Sequence, residues 1–109
     1  MSDEPVVLIN LLKVEPERQE ALVALLRHNI DTVVSTLEGW KASHLIAASD
    51  GSGVAIWSEW ATPAAVAAMR SDPRMLACFP KIRALASFDS VMGRKVTGAT
   101  RPVPMGLEA

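Results

Sequence analysis

Few side chains in this sequence could do chemistry, and they are spread along the chain. His28 and His44 are the only histidines among the 109 residues, and tyrosine is absent. An imidazole titrates near physiological pH, so His44 could act as a base if it reaches a ligand. Asn10 is the one polar residue deep in an apolar run, and its amide could point into a pocket. Proton chemistry would therefore rely on His44 or Asn10.

Both residues also have a purely structural interpretation. A single histidine on an apolar strand face is more often a packed core or interface residue than a catalyst. A buried amide is normally hydrogen-bonded, and the main chain could satisfy Asn10. The sequence leaves both alternatives open.

The sequence carries no local motif for metal, phosphate or covalent chemistry. The histidines are not clustered with carboxylates, so we predict no metal site. Gly51 and Gly53 lie in a turn that no helix follows, unlike a phosphate-binding loop. The single cysteine, Cys78, excludes a disulfide framework, and no nucleophile with a neighbouring base can be assembled. What remains is an apolar pocket with tryptophans, which suits a flat aromatic or polyketide-like ligand.

The composition indicates one small domain that associates with itself. Half of the residues are hydrophobic, which leaves more apolar surface than one small core hides and favours an oligomer. The net charge of -1 offers no electrostatic basis for binding nucleic acid or an anionic membrane. The acidic start, Met1 to Pro5, is not a signal peptide, and no stretch is apolar enough to span a membrane. We therefore expect a cytoplasmic protein.

The residue patterns predict the element order β-α-β-β-α-α-β. Strands are predicted over 6–14, 40–48, 54–60 and 87–96, and helices over 16–36, 63–70 and 73–86. Thr62-Pro63 and Asp72-Pro73 are helix starts, and Gly39 ends the first helix. Pro80 is expected to kink or divide the last helix. Residues 1–96 are predicted to form the domain, and the aperiodic residues 97–109 a C-terminal tail.

This order predicts an α+β, ferredoxin-like split βαβ fold with a four-stranded antiparallel sheet and helices on one face. Trp57 and Trp60 point to opposite faces of their strand, so each indole needs its own apolar surface. We expect Trp60 to lie under the helices and Trp57 to pack against a second copy of the chain. The same alternation predicts that His44 shares a face with Trp40.

Several short stretches together resemble a known family. They are Val7-Leu8-Ile9-Asn10, Val14-Glu15-Pro16, Glu38-Gly39-Trp40, Ser49-Asp50-Gly51, the strand ending in Trp60, and Ala68-Met69 with Asp72-Pro73. The chain resembles, over residues 6 to about 96, the antibiotic biosynthesis monooxygenase family of dimeric α+β barrel proteins. The resemblance implies a homodimer. It also implies oxidation of an anthrone-type polycyclic aromatic polyketide to a quinone by dioxygen, with no flavin, haem or metal.

The resemblance also assigns residues to the site. Trp60 matches the family's pocket tryptophan, whereas the family's strand asparagine falls on Ile56 and a tyrosine of one member falls on Val66. Either His44, Asn10 or a helix residue such as Arg27 replaces those polar groups, or the substrate supplies its own acidity, or the protein is not an oxygenase. The residues expected to bind the substrate are Leu26, Arg27, Trp40, Ile56, Val66, Met69 and Phe79.

Three functions remain open. The first is a cofactor-independent monooxygenase, with Trp60 shaping the pocket and His44 or Asn10 assisting deprotonation. The second is a non-oxidative barrel that binds a polyketide or helps to cyclise it, and the third is a structural or stress-response dimer without catalysis. A related branch of the fold degrades haem. The resemblance places Met69 and Phe79 at that branch's tryptophan and histidine positions, so iron would lack its axial imidazole.

Overall fold

The computed structural model describes residues 5–102 and confirms the predicted ferredoxin-like α+β fold. The elements are β1 (Val6–Val14), α1 (Gln19–Thr32), β2 (Trp40–Ala47), β3 (Gly53–Trp60), α2 (Pro63–Ser71), α3 (Pro73–Leu85) and β4 (Ala86–Gly93). Short 3-10 turns, Pro16–Arg18 and Val34–Thr36, extend α1 at both ends. Within residues 5–102, no helix is long and apolar enough to cross a membrane.

The end of β4 and the course of α3 differ from the sequence prediction. The fourth strand ends at Gly93 rather than at Val96, and residues 94–102 have no regular structure. The last part of the predicted tail, residues 103–109, lies outside the described residues. Helix α3 continues through Pro80, so of the two predicted effects, a kink or a division, the division does not occur. A proline removes one hydrogen bond, and neighbouring turns can hold the helix together across that gap.

The four strands form one antiparallel sheet in the order β2-β3-β1-β4. β1 and β3 are therefore central, and Asn10 lies between Ile56 on one side and Ser90 on the other. Because paired residues of antiparallel strands point to the same face, the register divides the sheet into two sets. The set that includes Leu8, Asn10 and Trp60 lies beneath the helices, and we call the opposite side the open face.

The helices are fixed at their ends by caps and by a close approach of the main chain. The Thr62 hydroxyl accepts the Ala65 N–H at 3.1 Å, and the Asp72 carboxylate accepts the Arg74 N–H at 2.8 Å. The side-chain hydrogen bond from Arg74 also lowers the pKa of Asp72. Gly39 has φ of 87°, as predicted for a left-handed turn. A Cβ at Gly39 would lie 2.5 Å from the Ala65 Cβ, so β2 begins in direct contact with α2.

A bulge in β2 places on opposite faces two site residues that were predicted to share one. Trp40 pairs with Trp60, but after an irregularity between Trp40 and Ala42, His44 pairs with Trp57. A bulge adds one residue to a strand, so the side chains beyond it change sides. Trp40 therefore lies on the helix side and His44 on the open face. The prediction that they share a face was wrong.

Candidate functional site

A cavity of about 370 Å³ lies between the sheet and the helices. This volume is within the range of small-molecule sites, and all four strands and all three helices contribute to the wall. Most of the lining is apolar. These residues are Leu8, Leu12, Leu26, Ile30, Val34, Ile56, Trp60, Met69, Met75, Phe79, Ile82 and Phe88. The arrangement can exclude water from a flat, apolar ligand.

The cavity brings together most of the predicted site residues. Those that line it are Asn10, Leu26, Ile56, Trp60, Met69 and Phe79. The other four do not line it. Val66 is fully buried in the core cluster that contains Trp60, and Trp40 packs against the same cluster. Arg27 is exposed on α1. His44 is on the open face, where its ring centroid lies 5.1 Å from that of Trp57.

Trp60 offers the cavity a ring and no free polar atom. Its side chain is 1% exposed, and its indole N–H donates to the Ser58 hydroxyl at 3.1 Å. That hydroxyl donates in turn to the Leu8 carbonyl at 3.3 Å. The indole nitrogen is therefore satisfied inside the protein, as buried tryptophans usually require. Trp60 can act on a ligand only through the shape and the π face of its ring.

Trp40 is held in the same way on the neighbouring strand. Its indole N–H donates to the Ser43 hydroxyl oxygen at 2.8 Å, and Ser43 lines the cavity. Ser43 pairs with Ser58 across the sheet, as Trp40 pairs with Trp60. The spacing is three residues in β2 and two in β3 because of the bulge. The Ser43 oxygen accepts from Trp40, so its hydroxyl hydrogen can donate into the cavity.

Asn10 presents an amide from the floor of the cavity. Its side-chain oxygen accepts a hydrogen bond from the Ser90 hydroxyl, which ties β1 to the edge strand β4. This leaves the NH₂ group, with its two donors, toward the cavity that Asn10 lines. A neutral amide does not take up a proton at physiological pH, so Asn10 can stabilise a bound oxyanion but cannot act as a base.

Two arginines that the sequence reasoning missed lie at the opening of the cavity. Arg70 and Arg83 line the cavity and are exposed to solvent, as is Phe88, so together they mark its mouth. Among residues 5–102, neither arginine forms an ion pair; Arg74 with Asp72 does. The Arg83 guanidinium carbon lies 6.0 Å from the Phe79 ring centroid, within reach of a cation–π contact. The i to i+4 spacing of Phe79 and Arg83 was a usable signal.

Asn29 on α1 is another cavity residue outside the predicted set. It lines the cavity with the helix residues Leu26 and Ile30, and it is only 7% exposed. The sequence carried a signal here too, because a polar residue interrupts the apolar stripe of the helix. The lining contains no carboxylate, histidine or thiol among the described residues. Burial raises the pKa of the Cys78 thiol, which lies in the core and outside the cavity lining.

No metal site accompanies this cavity in the described part of the chain. Residues 5–102 contain no group of three His, Cys, Asp or Glu side chains that could hold an ion. The polar lining consists of amides, hydroxyls and guanidinium groups, which bind anions and oxygen atoms. The site can hold an electron-rich aromatic ligand and stabilise negative charge on it.

The family profile described as antibiotic biosynthesis monooxygenase matches residues 5–81. The chain belongs to the antibiotic biosynthesis monooxygenase family. This confirms the resemblance found from the sequence. No curated protein matches the chain in sequence.

Solved structures share the fold of this family member. Rv0793 from Mycobacterium tuberculosis superposes with a TM-score of 0.77 at 21% identity, covering 89% of this chain and 100% of that one. SnoaB, described as a cofactor-independent oxygenase from Streptomyces nogalater, superposes with a TM-score of 0.68 at 17% sequence identity, covering 93% of this chain and 98% of that one. A conserved protein from Methanosarcina mazei Go1 superposes with a TM-score of 0.77 at 14% identity, covering 86% of this chain and 95% of that one. At these identities the likeness establishes the fold.

Proposed function

We propose that this family member is a cofactor-independent monooxygenase that oxidises an anthrone-type polycyclic aromatic polyketide to a quinone with dioxygen. The observation that carries the proposal is the largely apolar cavity of about 370 Å³ with the Trp60 ring in its wall. Family membership supports oxygenase chemistry, and SnoaB is described as a cofactor-independent oxygenase on the same fold.

The reaction converts a ring CH₂ group and dioxygen into a ring carbonyl and water. Loss of one proton makes the anthrone an electron-rich anion, which passes an electron to dioxygen. The two radicals then combine through a carbon–oxygen bond, the peroxide anion takes up a proton from water, and the resulting hydroperoxide loses water. One oxygen atom stays in the quinone, and the other leaves as water with both hydrogens of the CH₂ group.

The protein would assist this reaction by stabilising the anion. Among residues 5–102, the lining offers no carboxylate or imidazole, so in this proposal the substrate supplies its own acidity and passes its proton to water. The positive charges of Arg70 and Arg83 at the mouth, and the NH₂ group of Asn10 on the floor, favour a bound oxyanion. The ring of Trp60 holds the substrate plane. His44 has no part in this step because it lies on the open face.

The proposed assembly is a homodimer formed through the open face. Leu11, Ile46 and Val91 are more than half exposed there, at 56%, 57% and 65%, and Ile9 and Trp57 lie between them in the register. A contiguous apolar surface of this kind marks an interface. A second copy of the chain presents the same surface, and two-fold packing covers both at once.

Oxygen uptake with dithranol (1,8-dihydroxyanthrone) tests the oxygenase function. We expect metal-stripped protein to consume dioxygen above the spontaneous rate and, with ¹⁸O₂, to place one labelled oxygen in the quinone. Arg83→Ala should lower the rate about ten- to a hundredfold, since a charge-assisted hydrogen bond contributes about 1.5–3 kcal/mol. Arg18→Ala, which removes an exposed arginine that does not line the cavity, is the control and should leave the rate unchanged.

A non-oxidative function is the second candidate, and a specific observation favours it. Ile56 lines the cavity as a hydrocarbon where the resemblance expected an amide, and Val66 is buried where it expected a phenol. A protein that binds a polyketide or helps it to cyclise needs the cavity and not the oxygen step. Two results together would favour this alternative over the oxygenase. Calorimetry would show that the quinone of dithranol binds, and dithranol would cause no oxygen uptake above the spontaneous rate.

A further inference from the structure

Among residues 5–102, the cavity wall contains one buried polar side chain that the fold itself leaves without a hydrogen-bond partner, and it belongs to Asn29. The other buried or half-buried polar groups of the wall are paired: Ser58 with Trp60 and Leu8, Ser43 with Trp40, and Asn10 with Ser90. None of these hydrogen bonds involves Asn29. Its backbone carbonyl accepts the Val33 N–H at 2.9 Å, so the main chain at this position is satisfied. Its side-chain amide, in contrast, has no hydrogen-bond partner within residues 5–102.

The Asn29 amide faces the cavity. The residue is 7% exposed, so more than nine-tenths of it is buried. No side-chain nitrogen or oxygen among the described residues is both fully enclosed and unpaired, so the amide atoms of Asn29 keep contact with open space. Since Asn29 lines the cavity from α1, that space is the cavity.

A buried amide in this position works against folding. Asparagine is a poor helix former, and an unpaired amide that is more than nine-tenths buried keeps few of the hydrogen bonds that water gave it. Its neighbours on the same helix face, Leu26 and Ile30, are hydrocarbon, so the amide interrupts an apolar part of the wall. A ligand that enters the cavity and pairs with the amide would explain its presence there.

We propose that Asn29 is a ligand-binding, specificity-determining residue that recognises an oxygen atom, hydroxyl or carbonyl, on the edge of the aromatic ligand that faces α1. This inference rests on the proposed function, because it needs an aromatic ligand in the cavity. An amide offers one acceptor and two donors, so it matches either kind of oxygen. Asn10 approaches from the sheet and Asn29 from the helix layer, so the preferred ligand carries oxygen on two different edges.

Two ligands of the same ring shape test the assignment. Calorimetry would compare 1-naphthol with naphthalene on the wild-type protein and on Asn29→Leu, which removes the amide at similar volume. We expect Asn29→Leu to weaken 1-naphthol about tenfold, the equivalent of one buried hydrogen bond, and to leave naphthalene unchanged or tighter. Ile30→Leu, a change in the apolar wall beside it, should shift both ligands to the same extent.

The melting temperature separates a ligand-binding amide from a structural one. Replacing an unpaired buried amide by an apolar side chain of similar size should keep or raise the melting temperature. A clear fall would show that the amide stabilises the fold and would overturn the assignment. Equal weakening of both ligands, or unchanged 1-naphthol binding, would also overturn it while leaving the proposed function intact. A wild-type protein that binds neither ligand, nor dithranol, would instead refute the proposed function.

Discussion

Trp57 and Trp60 belong to the same strand, three positions apart, and have opposite surroundings. Trp60 is 1% exposed, hydrogen-bonded through Ser58, and enclosed by the helices. Trp57 lies half-buried on the open face, where the His44 ring is beside it at 5.1 Å between centroids. One face of the sheet is covered by helices of the same chain, and the other presents apolar side chains to solvent.

The difference supports the proposal that one face binds the ligand and the other forms the dimer. On the helix side, the indoles of Trp40 and Trp60 and the side-chain oxygen of Asn10 have hydrogen-bond partners inside the chain, so this part of the wall is preorganised before a ligand arrives. On the open face, the apolar residues have no such cover in the protomer, and the proposed second copy would bury them. Changes on the first face should therefore alter folding and ligand binding, and changes on the second should alter association.

Trp60→Ala should have the largest effect. Removing a fully buried indole costs about 3–5 kcal/mol of unfolding free energy, a large part of the stability of a domain this size. Urea unfolding followed by circular dichroism measures the loss. Trp57→Ala is the matched control, because it makes the same change on the other face of the same strand. At protein concentrations low enough to populate the protomer, Trp57→Ala should lower the free energy of unfolding by less than half as much as Trp60→Ala. Equal losses for the two variants would contradict the difference between the two faces.

Trp57→Glu should have the next largest effect, on association. A carboxylate at the centre of an apolar interface should raise the dimer dissociation constant about a hundredfold, or ~2.7 kcal/mol, as expected for an interface hot spot. Sedimentation velocity over a dilution series measures the change. Leu76→Glu places the same charge on an exposed apolar residue of α3, away from the open face, and should leave the dimer intact. A dimer that tolerates Trp57→Glu would show that the open face is not the interface.

Gly39→Ala should have the smallest effect, and it tests how tightly the helix side is closed. The backbone has φ of 87° there, and the new methyl group would meet the Ala65 Cβ at 2.5 Å. We expect a loss of about 2 kcal/mol, measured by thermal or urea unfolding. Gly93→Ala at the end of β4 meets no atom within 4 Å and is the control. Equal stabilities for the two variants would mean that β2 and α2 can separate without cost.

Much of the fold could be predicted from the sequence because local signals agreed with one another. The Asp50-Gly51 turn, the proline helix starts and the alternation around Trp60 each predicted an element that the structure contains. The faces of β2 could not be predicted in the same way. One extra residue between Trp40 and Ala42 places His44 on the open face, and no residue type in that stretch predicts a bulge.

The candidate site was predictable in its apolar part and less so in its polar part. Leu26, Ile56 and Phe79 follow from periodicity, because one face of each element must point toward the helices or the sheet. Arg27 is one position away from that face and points to solvent. Asn29 was visible as a polar interruption of the stripe. Whether its amide has a partner depends on residues from distant elements, and a single helix pattern cannot reveal that.

The bulge in β2 also has an optical consequence. It sets Trp40 beside Trp60 on the helix side and leaves Trp57 next to an imidazole on the other. The three indoles of the chain are thus divided between the two faces of the sheet. The buried Trp60 should emit at a shorter wavelength than the half-buried Trp57, so ligand binding and association should change different parts of the emission of one unlabelled sample.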